Sequence, residues 1–515
     1  MIRPIAARLA LLAVAALLGA AACSPKHNVL KPNLPPETTL FIQDTIARAN
    51  HRVHLYWFGT DPDGNVVGYD MRFISGSGPA DPAWTRVPCA LPGRCTDSVF
   101  TVFTGDSGLV HARFEIRAVD DQGLADPTPA AQGFALTNVA PGVRITNPLR
   151  LTDSSFATVT LGWEVNDPDG GGPGLRFRIW LDGNRANYDS TTATIFTVPS
   201  KRFLVGGTYL AGPRTVYVQA VDDGGRTGPT DSTSWYVRAP GGIDPATHPG
   251  KGRLLVIDDS FSSSFNTNDA SVDTLYANVC QRNLPGGFSL IRMQSSNPFR
   301  SGADLGQTLR EFDGTVWYRG YDTRLTSALQ YYQDTVTAFV AGGGRLMLEG
   351  VYLVQGFNAP GTLREDFVTG PLNCRGLYRV FDTTVRDSAA AIATVSNDTV
   401  RSSIYVSPLH PLNRMRLTVL PSITGQTPGL RGFVPWDTTQ VAFWAMPHAL
   451  TAPTNTEDVA VGMTVDRPGT LGPAPGRLIF LPFPVRAMSP LTGFVPPAQV
   501  LKELLFVPPK GLLAP

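Results

Sequence analysis

The stretch RLMLEG, residues 345–350, is an apolar run that ends on a carboxylate and a glycine. In an α/β enzyme such a run carries a nucleophile to a tight turn at the top of a sheet. Here the turn reads Leu348-Glu349-Gly350-Val351, with no cysteine, serine or threonine at its tip. Two other apolar runs also end on polar residues. Asp258 and Asp259 close RLLVIDD, and Tyr318 and Arg319 close GTVWYRG. Ligands of open α/β sheets bind beyond the carboxyl ends of the strands. Two carboxylates flanking a guanidinium there could hold a polar ligand, or activate water through Asp259 and Glu349. The same groups could instead pair with one another and cap helices. Arg319 is expected to lie near both acids and hold each ionised by lowering its pKa.

A second set of acids sits in turns. Asp61, Asp63, Asp167 and Asp169 belong to two DPDG stretches, and Asp120, Asp121, Asp222 and Asp223 to two VDD stretches. Asp-Pro-Asp-Gly is good turn chemistry, with Asp bonding its own backbone and Gly taking φ > 0. Calcium also favours several oxygens on a flexible loop, which makes Asp61, Asp63, Asp120, Asp167, Asp169 and Asp222 its candidates. No EF-hand spacing is present, so the expected role is the turn and no metal is assigned. No C-x-x-C pair exists and the seven histidines are scattered, so no zinc site is signalled. No cofactor is expected.

The turns belong to a repeat. WFGTDPDGNVVGYDMRF from Trp57 matches WEVNDPDGGGPGLRFRIW from Trp163, and FEIRAVDDQGLADP from Phe114 matches VYVQAVDDGGRTGP from Val216. A spacing of about 105 residues is one sandwich domain. Phe114, Ile116 and Ala118 alternate with Glu115 and Arg117, as in a sheet with one wet face. These residues resemble fibronectin type III and related immunoglobulin-like modules of bacterial surface proteins. The resemblance implies sandwiches over 37–141 and 142–240, each with its tryptophan in the core, serving as spacer or binding module.

After a Pro/Gly linker at 241–251 the pattern changes. RLLVIDD, FSLIRM, GTVWYRG and RLMLEG read as buried parallel strands. Between them lie helical segments including SVDTLYANVCQR, which puts Cys280 on a buried face as an inert thiol. DVAVGMTV and GRLIFLPFPVRAM read as a late strand pair, and AQVLKELLFV as a closing helix. Strand and helix in alternation imply an α/β open parallel-sheet domain over 252–515. The order resembles the class I glutamine amidotransferase-like superfamily, and with it a flavodoxin-like sheet. Members carry Gly-x-Cys-x-Gly after the strand matching RLMLEG and His-Pro-Glu after a late strand. Phe483 and Val485 of FLPFPVR stand where the base and its orienter would be. The resemblance therefore implies a pseudoenzyme.

The first residues are not fold. Arg3 and Arg8 precede an apolar stretch from Leu9 to Ala22, too short to span ~30 Å of hydrocarbon but fitting a signal peptide over 1–22. AAACS then resembles the lipobox of bacterial lipoproteins, with Ala20 where leucine is usual. This implies that Cys23 is acylated, that residues 23–36 are a tether, and that the chain sits at the outer membrane. Of the other four cysteines, Cys89 and Cys95 bracket a Pro-Gly turn and are expected to bond to each other. Lys and Arg at 43 against Asp and Glu at 42 leave no net field for nucleic acid. The expectation is a non-catalytic, surface-anchored lipoprotein with membrane lipid and a protein or glycan as partners. The alternative is an exported hydrolase of envelope polymers.

Overall fold

A computed structural model describes residues 32–42, 51–75, 83–87, 95–169, 174–243, 250–260, 269–284, 286–293, 298–320, 328–350, 353, 363–378, 399–402, 415–416, 432–445, 459–467, 476–487, 495–508 and 510–514. Cys23 and Cys89 lie outside the described residues. The chain divides into two compact units, one of residues 1–141 with 167–174 and 222–227, the other holding the remainder. Among the described residues no helix is long and apolar enough to cross a membrane.

The first unit contains a β-sandwich. One antiparallel sheet runs Glu37–Ile42, Arg52–Thr60, Asp97–Thr101, and the other Thr85–Arg86, Val66–Ser75, Leu109–Asp120, Ala130–Thr137. Trp57 and Phe100 from one sheet meet Tyr69, Phe114 and Phe134 from the other in a single core. Phe114, Ile116 and Ala118 point into that core, as period two requires. Glu115 points the other way but is not wet. Arg72 Nε donates to it at 2.8 Å and Arg113 Nε lies 2.9 Å away, so ion pairs close over that face.

The second sandwich repeats the plan. Ile195–Val198, Val159–Asn166 and Gly142–Ile145 form one sheet. Asp189–Thr191, Arg176–Leu181, Gly212–Val221, Thr227–Val237 and Ser154–Ser155 form the other, the last pair parallel. Trp163 packs edge-on to Phe177 at 5.3 Å between centroids, within a core shared with Trp235. Trp57 pairs with Leu40 and Trp163 with Ile145, so each tryptophan faces the first strand of its module.

The C-terminal part contains β1 (Gly252–Asp258), α1 (Asp269–Asn283), β2 (Ser289–Arg292), α2 (Gly302–Arg310), β3 (Phe312–Tyr318), α3 (Gln333–Ala341), β4 (Arg345–Glu349), β5 (Val459–Arg467), β6 (Gly476–Leu481) and α4 (Pro497–Phe506). The spatial order β2-β1-β3-β4-β6 is parallel throughout. β5 then pairs with β6 antiparallel, and further strands extend the sheet beyond it. The sheet is therefore mixed, not purely parallel as expected. Residues 468–475 are too few for a crossover, which takes about a dozen or more.

Both faces of this sheet are covered, which is why its strands are continuously apolar. Val256, Val316, Met347 and Ile479 meet α1 and α4 on one face. Leu255, Trp317, Leu346 and Phe480 meet α2 and α3 on the other. Ser301 caps α2 by accepting from Asp304 N at 3.0 Å, and Pro497 opens α4. Phe156 of the second sandwich joins the α2/α3 core, 5.2 Å from Phe312. Polar contacts surround it: Thr160 Oγ1 to Ser301 Oγ at 2.6 Å, and Ser200 N to Gln307 Oε1 at 2.8 Å.

Candidate functional site

The strand-end residues divide between the two faces of the sheet. Asp258 pairs in register with Tyr318, and Tyr318 with Glu349, so the three stand in one row facing α1 and α4. Tyr318 stacks on Tyr276 of α1 at 4.3 Å, and its hydroxyl donates to Asp273 Oδ1 at 2.7 Å. Ser260 donates to Asp258 Oδ1 from its N–H at 3.1 Å and its hydroxyl at 2.6 Å. Asp259 and Arg319 come one residue later and take the opposite face. There Trp317 Nε1 donates to Asp259 Oδ2 at 3.2 Å, and Arg319 Nε lies 3.9 Å from the same oxygen. All five are buried, Asp259 at 2% exposure and Glu349 and Arg319 at 0%.

The expected convergence of Asp259, Arg319 and Glu349 is thus not what the pleat produces. Arg319 meets Glu349 through the backbone, its N–H donating to the Glu349 carbonyl at 2.9 Å. The Glu349 carboxyl turns instead to Val485, whose N–H donates to Oε2 at 3.0 Å. The Tyr276 hydroxyl faces the same carboxyl without closing a full hydrogen bond, and Oε1 has no partner. Burial dominates and pushes Glu349 up to about 7, although Tyr276 and Val485 favour the ionised form. This corrects the expectation that Arg319 would lower it. Gly350 has φ 153°, and a Cβ there would stand 2.8 Å from Arg319 Cβ, so the turn requires glycine. Phe483 and Val485 are fully buried.

Two carboxylates with strongly shifted pKa values carry no sequence signal. Glu311, at the end of α2, accepts from Ala157 N of the second sandwich at 3.2 Å. Burial pushes it up to about 8, and the Asp304 charge adds to the shift. Asp304 is itself pushed up to about 6 by burial, against the Arg300 N–H and guanidinium. Both sit where the sandwich docks, away from the strand ends.

The acidic turns are ordered in the same unit as the first sandwich. Asp169 Oδ2 lies 3.5 Å from His51 Nδ1, and His51 Nε2 is 2.5 Å from Asp223 Oδ1. Asp223 is held below the usual carboxylate range by Arg52 and His51, which outweigh its partial burial. Asp167 is pushed up to about 7 by burial and by the neighbouring Asp169 and Asp222. Among the described residues no group of three His, Cys, Asp or Glu side chains is placed to hold a metal ion.

Cys280 and Cys374 are free and buried, and burial pushes both thiols up to about 12. Neither is a nucleophile at neutral pH. Cys95 is disulfide-bonded; Cys89, its expected partner, lies outside the described residues. A shallow trough of about 500 Å³ on the first sandwich is lined by Ile74, His111, Arg113, Gly133 and Ala135, none of them a strand-end residue.

No family model matches the chain. Solved structures similar to part of it include fibronectin(III)-like modules of Clostridium thermocellum CbhA, 16% identical over 39% of this chain and 95% of that one, with TM-score 0.18. The chicken CNTN1 FN1-FN3 domains are 15% identical over 40% of this chain and 67% of that one, with TM-score 0.18. A tetra-tandem repeat in the extending region of a large adhesion protein is 18% identical over 39% of this chain, with TM-score 0.18; the match spans 49% of that protein.

Proposed function

We propose that this chain is a non-catalytic binding or scaffolding protein of the bacterial envelope, anchored at the outer membrane through acylated Cys23. Its sandwiches read as fibronectin type III/immunoglobulin-like modules, and its C-terminal part as a divergent amidotransferase-like domain. The order β2-β1-β3-β4-β6 supports the second assignment, since doubly wound flavodoxin-like sheets share it.

One observation carries the non-catalytic reading. At the elbow the Glu349 carboxyl is buried and bonded to Val485 N, the very position from which a base would be oriented. Acyl transfer needs a nucleophile and a base with room for substrate between them. Here a carboxyl and the backbone fill that room. The Asp259/Glu349 pairing of the hydrolase alternative draws no support from the register, which assigns the two acids to opposite faces.

The full chain should turn over no glutamine, ester or glycoside substrate. A hydrolytic rate that vanishes in Glu349→Gln with the fold intact would favour the hydrolase instead. Anchoring is tested separately. Cys23→Ser should leave the membrane fraction and lose labelling by a fatty-acid analogue, and labelling that persists would refute acylation there. The partner, protein or glycan, is sought by probing the full chain against envelope extracts and glycan arrays.

A further inference from the structure

We propose that Glu311 is a proton-operated latch between the second sandwich and the C-terminal sheet: with its proton, residues 156–160 close on α2, and without it that contact opens locally in the native protein. The contact is made residue by residue. Phe156 enters the core between α2 and the sheet, and Ala157 N donates to Glu311 Oε2 at 3.2 Å. Thr158 lies against Asp304, and Thr160 Oγ1 meets Ser301 Oγ at 2.6 Å. Ser200 N, from the same sandwich, donates to Gln307 Oε1 at 2.8 Å. Asp304 and Glu311 are about two helical turns apart, so one face of α2 presents both acids to the sandwich.

The geometry sets Glu311 against carrying a charge. It is the C-cap residue of α2, where the helix dipole is negative and repels a carboxylate. It is 3% exposed, and its Oε1 is buried with no hydrogen-bond partner. The basic side chains of the surrounding elements are engaged elsewhere. Arg310 Nη1 donates to Gly306 O at 3.0 Å, Arg300 Nη1 to Asn147 O, and Arg238 Nη1 to Leu290 O at 3.1 Å. Arg253 of β1 pairs with Asp313 of β3 at 2.7 Å. The titratable groups that act on Glu311 are Asp304, whose charge opposes its own, and Tyr209, whose hydroxyl donates to Gly250 O at 2.8 Å.

A buried carboxylate with an empty acceptor is far costlier than the neutral acid. Burial accordingly holds the Glu311 proton up to about 8. Opening the contact returns water to the carboxyl and lets it ionise near its ordinary 4.5. The closed form is therefore fully favoured below that value, loses ground as pH rises, and levels off above about 8. Asp304 follows the same sign over a lower window that ends at about 6, so Glu311 governs the range above it.

The test uses the full chain carrying Thr160→Cys, a position that is 2% exposed while the contact is closed. Alkylation of the introduced thiol, corrected for thiol ionisation, should speed up about fiftyfold between pH 6 and pH 8. Cys280 and Cys374, buried in the layers of the sheet, should stay unlabelled. Adding Glu311→Gln should cut the rise to about twofold, the share left to Asp304. A rate that ignores pH, or a rise that survives Glu311→Gln, overturns the proposal. Labelling of Cys280 at the same pace also overturns it, because the whole sheet would then be unfolding. Should Thr160→Cys fail to fold, hydrogen exchange in the parent decides. The Ala157 and Ser200 amides should lose protection by the same factor, through an opening that dilute urea does not promote. Protection that is constant with pH, or as sensitive to urea as that of Val256 in β1, refutes the latch.

Discussion

The backbone N–H of Val485 donates to Glu349 Oε2 across 3.0 Å, joining the turn after β4 to the segment after β6. These two segments are adjacent because β4 and β6 pair in parallel, with Glu349 opposite Leu481. The contact binds the two turns to each other where a reacting group would otherwise need space. It also leaves a carboxyl inside an apolar layer, which has a measurable consequence.

Glu349 holds its proton up to about 7 in the fold, against an ordinary value of 4.5. Between those pH values the unfolded chain has released a proton that the folded chain keeps, so stability falls as pH rises and levels off above about 7. Glu349→Gln has no such proton to lose. Relative to the parent, its unfolding free energy should rise by up to about 3 kcal/mol between pH 4 and pH 8. Urea melts at both pH values test this, and a difference that does not change with pH would refute it.

Glu311 obeys the same sign over a wider window, from its ordinary 4.5 to about 8. Docking of the second sandwich buries its carboxyl, and that burial opposes ionisation although the Ala157 N–H it receives favours the charged form. Glu311→Gln should flatten the loss of stability between pH 6 and pH 8 that the parent shows. Hydrogen exchange at Ala157 should slow in the variant at pH 8, and equal exchange in both proteins would argue against the role given to Glu311.

Trp57→Ala and Trp163→Ala should each cost about 3–5 kcal/mol, because each empties the centre of a sandwich core. Denaturant unfolding, read by the loss of strand signal, measures the cost. A change below about 1 kcal/mol would mean that the core collapses around the missing ring.

Cys280 and Cys374 should resist alkylation in the native chain at pH 8 and react once it is unfolded. Peptide mapping without reduction should find Cys95 linked, with Cys89 the expected partner. Rapid native labelling of Cys280 would contradict its burial in the α1 face.

Much of the architecture was legible because apolar spacing reports burial directly. The runs at 252–258, 312–318 and 345–349 became strands, and the repeated tryptophans both reached the cores. The site was less legible, for a reason that lies in the pleat. Asp258 and Asp259 are neighbours in the chain yet face opposite layers, and Arg319 differs from Glu349 by the same parity. Which residues share a face depends on register between strands far apart in sequence, and no single run carries that information. Glu311 carries no signal in the sequence because a glutamate at a helix end is ordinary until a second domain covers it.

Phe156 shows where autonomy ends. A ring from the second sandwich is packed among Leu255, Ile257 and Phe312 of the sheet that follows it. Cutting the chain at the Pro/Gly linker would strip a wall from that layer and leave Glu311 without the Ala157 N–H. The linker marks a change of composition, not a seam along which the polypeptide separates into independently folding pieces. Unfolding of the two parts should be a single cooperative event in a denaturant titration.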